Sequence, residues 1–132
     1  MAFYLDTSAL VKLVAPEPES DALREWLAGW TETLVTSDLA RTELLRAVRR
    51  ARPESVAMAR QVLDSLTVLR METGVFEEAA RLEPPRLRSL DALHLAAALV
   101  LEDDLLGVVT YDDRLAEATR LLGFAALAPG RS

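Results

Sequence analysis

Four acidic residues stand where acids are out of place. Asp6 closes the apolar run AFYL at 2–5, and Asp112 follows the apolar segment GVVT at 107–110 with only Tyr111 between. Both sit where a strand should end, the edge at which open parallel sheets bind ligands. Glu43, in SDLARTELLRAV, has Leu39 and Ala47 four residues to either side; Asp91, in LRSLDALHLAAALVL, has Leu87 and Leu95 at the same offsets. Those offsets share a helix face, so each carboxylate interrupts a face that should be packed. Taken singly, each acid has an ordinary reading. Asp6 and Asp112 serve as caps or turn residues, Asp91 as a first-turn charge behind a Ser89 cap, and Glu43 as a solvated edge.

Convergence of the four on one cleft changes the chemistry. Unit charges about 6 Å apart at an effective dielectric near 20 repel by roughly 3 kcal/mol a pair, or about 15–20 kcal/mol for the set, which rivals the stability of a domain. Such a cluster needs protons or cations. The chain has no cysteine, one histidine (His94) and one lysine (Lys12), and a cleft of oxygen ligands is what a hard divalent ion such as Mg²⁺ selects. A site of this kind activates water and stabilises the transition state of phosphodiester hydrolysis. Thr7, Ser8 and Thr110 flank the strand-end aspartates, placed either to hydrogen-bond the carboxylates or to close local turns. Asp113 reads as a fifth ligand or as an N-terminal helix charge, and His94 as a structural or interface residue near the rim.

Positioning these groups requires an α/β frame. Short apolar segments at 2–5, 33–36, 67–71, 107–110 and 124–128 alternate with helical patterns at about 8–14, 20–30, 38–51, 54–65, 74–82, 89–102 and 113–122. That alternation predicts a mostly parallel, buried sheet flanked by helices. Pro16 and Pro18, Pro53, Pro84-Pro85 and Gly123 punctuate it. Residues 38–65 hold two successive helices with no strand between, a helical hairpin inserted into the alternation. Leu23, Trp26, Leu27 and Trp30 share one helix face, as core or as a partner surface.

At 132 residues, the chain is expected to be a single domain able to bury its own core. The longest apolar run, LAAALVL at 95–101, falls short of the roughly 20 residues of a membrane span, and the opening lacks a signal-peptide pattern. A cytoplasmic protein is expected, consistent with the lack of cysteine. The net charge, 15 − 21 = −6, does not recommend a nucleic-acid partner. The basic run Arg46 to Arg52 is a local exception, either a solvated helix face or a feature on which nucleic-acid binding could rest.

The ordered set YLDTSALVKL, TSDLARTELLRAV, LRSLDALHLAAAL and VVTYDDRLAEA resembles the PIN domain, and most closely its VapC ribonuclease toxins. The resemblance covers nearly the whole chain. It implies a three-layer sandwich around a five-stranded sheet, with Asp6, Glu43, Asp91 and Asp112 as the catalytic, metal-binding positions. It further implies Mg²⁺- or Mn²⁺-dependent endonucleolytic cleavage of RNA, a homodimer, and inhibition by a cognate VapB antitoxin that alone contacts DNA. The implied partner groove adds Leu13 to Trp26, Leu27 and Trp30. Two rival readings are weaker. A receiver or haloacid-dehalogenase type of phosphoryl transfer wants a lysine near the late strand ends, where this chain has none, and a DxD after the first strand, where it has Asp6-Thr7-Ser8. A non-enzymatic interaction module would use the acids only as caps and ion-pair partners.

Overall fold

A computed structural model describes residues 1–131. Its organising element is β1 (Ala2–Leu5), buried at all four positions. A strand covered on both faces belongs to a parallel sheet with helices on each side. β1 pairs in parallel with β2 (Thr33–Ser37) on one flank and β4 (Leu105–Val109) on the other. β3 (Thr67–Leu69) and β5 (Ala126–Leu127) extend the two edges, giving the all-parallel order β3-β2-β1-β4-β5.

Alternation along β1 feeds two cores. Phe3 and Leu5 pack with α1 (Thr7–Val14), α2 (Ser20–Ala28), α3 (Asp38–Ala51) and α4 (Val56–Asp64) on one face. Ala2 and Tyr4 pack with α6 (Ser89–Leu99) and α7 (Asp113–Leu121) on the other, where α5 (Thr73–Arg81) lies against α6 through Ala79, Ala92 and Ala96. Fully buried Leu5, Leu44 and Leu95 are positions where truncation to alanine costs about 2–5 kcal/mol. The predicted three-layer sandwich is observed. So is the hairpin, whose helices α3 and α4 are joined by a 3-10 turn at Pro53–Ser55.

Departures from the predicted elements are local. β4 starts at Leu105 because its pairing with β1 shifts register between Ala2 and Phe3, letting Leu105 face Ala2. Within β4, Gly107 is the residue that lets β5 approach: a Cβ there would lie 3.0 Å from the Ala125 carbonyl oxygen and 3.2 Å from Leu127. β5 keeps only two residues, and α6 ends at Leu99, short of 102, where a 3-10 turn over Glu102–Asp104 takes over.

Trp26 and Trp30 each set their rings edge-on to Phe3 at 4.9 Å, so the tryptophan face closes the core beside β1. The exposed Arg46, Arg49 and Arg50 lie around buried Val48, a solvated helix face. No helix among the described residues is long and apolar enough to cross a membrane.

The chain runs outward from β1 to β2 and β3, then returns to build β4 and β5 on the opposite side. This reversal places a crevice at the C-terminal ends of β1 and β4.

Candidate active site

Two hydroxyls staple the inner wall of that crevice. Asp6 follows β1 and caps α1, its Oδ1 accepting from the Ala9 N–H at 3.0 Å and the Ser8 hydroxyl at 2.7 Å. Oδ2 accepts from the Thr110 hydroxyl at 2.6 Å. Ser8 Oγ also accepts from the Tyr111 N–H, and Thr110 Oγ1 from the Asp112 N–H. Asp6 is thereby tied to the loop after β4, across more than a hundred residues of sequence. Asp6 as a whole is 4% exposed. Burial pushes its pKa above the usual carboxylate value, against the opposing pull of the Thr110, Ser8 and Ala9 bonds and of His94.

Glu43 completes the inner wall from α3. Its Oε1 accepts from Thr7 Oγ1 and His94 Nε2, both at 2.6 Å. An ionised carboxylate has no proton to give, so Nε2 carries one, and Nδ1 faces the Tyr4 hydroxyl at 2.9 Å. Tyr4 in turn meets Ser37 Oγ at 2.8 Å. Burial, opposed by the Ser37 bond, raises the Tyr4 pKa and keeps the phenol protonated. For Glu43, burial is the largest single influence and pushes upward, but the bonds from His94 and Thr7 and the imidazole's charge outweigh it. The net shift is downward.

The outer wall is held differently. Asp91, in the first turn of α6, is buried, and its Oδ2 accepts from Arg88 Nε at 3.0 Å. Asp112 caps α7, with Oδ1 accepting from the Arg114 and Leu115 N–H groups and Oδ2 from Arg88 Nη2 at 3.0 Å. One guanidinium thus bridges two carboxylates contributed by different helices. The hydrogen bond and charge of Asp91 raise the Arg88 pKa still further.

All four acids line one cavity of about 280 Å³, together with Thr7, Ser8, Arg88 and His94. Arg88 and His94 interleave with the carboxylates, and among the described residues no three acids, histidines or cysteines are gathered as a ready-made metal cage. The donor set nevertheless fits a hard cation. It is oxygen-rich, lacks thiols, and already attracts a positive charge in Arg88; Asp91 Oδ1 and Glu43 Oε2 accept no hydrogen bond among the described residues. Lys12 is absent from the cavity lining. It is buried between Glu17 and Glu19, at 3.1 and 3.2 Å, and lies 4.6 Å over the Tyr111 ring. A lysine-assisted phosphoryl-transfer site therefore finds no support in the cleft.

A family model of the PIN domain matches residues 3–121. The chain belongs to the PIN-domain family. Within it, the chain groups with VapC proteins: it is 45% identical over 131 residues to Ribonuclease VapC47 of Mycobacterium tuberculosis, spanning 96% of each chain. The PIN fold is matched by the crystal structure of M. tuberculosis VapC20, described as a sarcin-ricin loop cleaving toxin, at 16% identity. The TM-score is 0.76, with 96% of this chain and 99% of that one covered. DNA-bound VapBC from Salmonella typhimurium matches at 20% identity and a TM-score of 0.75, with coverage of 96% and 97%.

Several details of this PIN-domain cleft correct or decide between the sequence expectations. Ser89 does not cap α6; Arg88 occupies the cap position, with no side-chain cap bond, and Asp91 still falls in the first turn. Asp113 turns away, 93% exposed and paired with Arg131, so it is a helix-terminal charge outside the cavity. The packed ridge of α3 is Ala40, Leu44 and Val48, one position over from Glu43, which leaves Glu43 half-buried at the cleft. His94 is buried against Glu43, and Arg88 is a cleft residue that sequence reasoning missed. Its spacing of three residues before Asp91 was the available signal.

Proposed function

We propose that this chain is a metal-dependent endoribonuclease in which Asp6, Glu43, Asp91 and Asp112 hold Mg²⁺ or Mn²⁺ and serve hydrolysis of RNA phosphodiester bonds. One observation carries this reading: four carboxylates from four separate segments line one cavity at the reversal point of the sheet. The ribonuclease name of a relative 45% identical over nearly the whole chain supports it. The chemistry that a divalent ion supplies at such donors is activation of water and neutralisation of charge on the phosphate. The protein's own side chains prepare the site. Ser8 and Thr110 lock Asp6 in place, His94 aims Glu43, and Arg88 balances Asp91 and Asp112 until they are needed as ligands.

In the same reading, residues 1–132 act as one PIN-like domain in the cytoplasm, as a homodimer, and are neutralised by a VapB-like antitoxin through which alone DNA is reached. The DNA-bound VapBC neighbour supports such a partner. The surface beside α1 and α2 suits it, since Leu13, Trp26 and Leu27 are only partly buried and Trp30 is 42% exposed. The deciding experiment incubates the purified protein with structured RNAs in Mg²⁺, Mn²⁺ or chelator, beside Asp6→Asn and Asp91→Asn. Metal-dependent cleavage lost in both variants is expected; cleavage that persists in chelator or survives both substitutions sinks the proposal.

A further inference from the structure

A second cavity, of about 210 Å³, lies between the turn preceding α6 and the exposed face of α7, and its wall carries Arg86, Arg88 and Arg114. Arg88 lines this cavity and the acidic one alike. Arg114 is tied to the acidic cleft through its backbone, whose N–H donates to Asp112, while its side chain faces the second cavity. Arg86 and Arg114 are exposed and form no ion pair among the described residues. Glu117 is the only acid on this wall, and Leu87 and the 68% exposed Leu121 give it an apolar strip.

In a chain of net charge −6, three guanidinium groups bordering a four-carboxylate cleft reverse the local sign of charge. A polyanion drawn to the cleft is repelled by the acids. It needs cations where its flanking phosphates run, and arginine forks match phosphate oxygens in pairs. We infer that this groove is the track for the RNA strand flanking the bond to be cut. Arg86 and Arg114 take its phosphates, and Leu87 and Leu121 lie under a ribose or base. The inference rests on the ribonuclease reading for the nature of the polyanion. Arg88 stands at the junction, where it can exchange its carboxylate partners for a phosphate as the strand enters.

The test reads binding, not cleavage. A short, labelled single-stranded RNA is titrated in chelator across a salt series, and fluorescence anisotropy gives the affinity. Arg86→Gln/Arg114→Gln is compared with the unchanged protein and with Arg49→Gln/Arg50→Gln, which removes the same charge from the distal end of α3. The groove variant should bind more weakly at every salt concentration. Its slope of log affinity against log salt should flatten by roughly 1.4, about 0.7 for each phosphate of a single strand that the protein no longer neutralises, while the α3 variant keeps its slope. An unchanged slope in the groove variant, or an equal flattening in the α3 variant, overturns the inference. So does retention of RNA binding with loss of binding to a labelled poly-glutamate peptide, which would make the groove a protein-docking surface. Binding with these properties but no cleavage in metal would count against the ribonuclease reading alone; cleavage with an unchanged slope would count against the groove alone.

Discussion

On the inner wall of the cleft, Asp6 and Glu43 are held by hydroxyls and one buried imidazole, whereas on the outer wall Asp91 and Asp112 share a single guanidinium that is 56% exposed. The inner bonds draw on buried Thr110 and His94 and on half-buried Thr7 and Ser8, all seated on the strand ends and helices that make the core, so they are set by folding itself. The outer bridge depends on one long side chain that can leave without disturbing the core. The contrast divides one acidic cluster into a wall fixed through the core and a wall held by an exposed side chain. Within the inner wall, two carboxylates that composition alone would treat as equals also differ. Burial wins at Asp6 and raises its pKa, while hydrogen bonds win at Glu43 and lower it.

Removing an inner carboxylate should produce the largest effect. Asp6→Asn is expected to lower the rate of RNA cleavage about 10²-fold or more, the scale on which a group stabilising transition-state charge is lost; single-turnover cleavage assays measure it. Removing the support behind a carboxylate should do less. His94→Ala should weaken Mn²⁺ binding about 10–100-fold, the range for residues that orient ligands, with partial recovery in His94→Gln, which restores an N–H donor. Calorimetric titration would expose an equal loss in both variants, an outcome that rejects His94 as the residue aiming Glu43.

On the outer wall the sign should invert. Arg88→Gln removes the cation already seated between Asp91 and Asp112, so Mn²⁺ should bind about 2–5-fold more tightly, in line with the modest worth of an exposed ion pair. Weaker binding would mean that Arg88 organises the ligands and does not compete for them.

The smallest effects are thermal and again oppose one another. The raised pKa of Asp6 means the folded state takes up its proton more readily than the unfolded chain, so ionised Asp6 costs stability above the folded pKa. That cost fades as pH falls through it. Metal-free Asp6→Asn should therefore melt about 2–4 °C higher at neutral pH, with the gain vanishing in acid. Glu43 has a lowered pKa and adds stability above its unfolded value, lost as pH falls through the folded one. Glu43→Gln should melt about 2 °C lower at neutral pH, with that deficit closing in acid. Melting curves with matching signs for the two variants would remove the distinction between them.

The frame and the acids were largely legible in the chain. Strand ends at Asp6 and Asp112 stand out because an apolar run stops on a charge, and Asp91 stands out because a charge falls on a buried helix face. What escaped was partnership. Arg88 lies in a turn between Pro84-Pro85 and α6, where periodicity says nothing about direction, and its bridge to Asp112 spans 24 residues. His94 looks like one more polar residue in an apolar helix until Tyr4 and Glu43 are placed on either side of it, from β1 and α3. Pairings set by topology leave no local pattern to read.

The bond from Thr110 to Asp6 bears on the order of events during synthesis. Asp6 leaves the ribosome among the first residues, yet the hydroxyl that fixes it and the final carboxylate, Asp112, arrive only after β4 has been made and inserted beside β1. Pairings so distant in sequence form late, because a long loop must close before they are rewarded. A nascent or partly unfolded chain thus carries its early acids without the assembled cleft, which is complete only when the last two of the five strands dock.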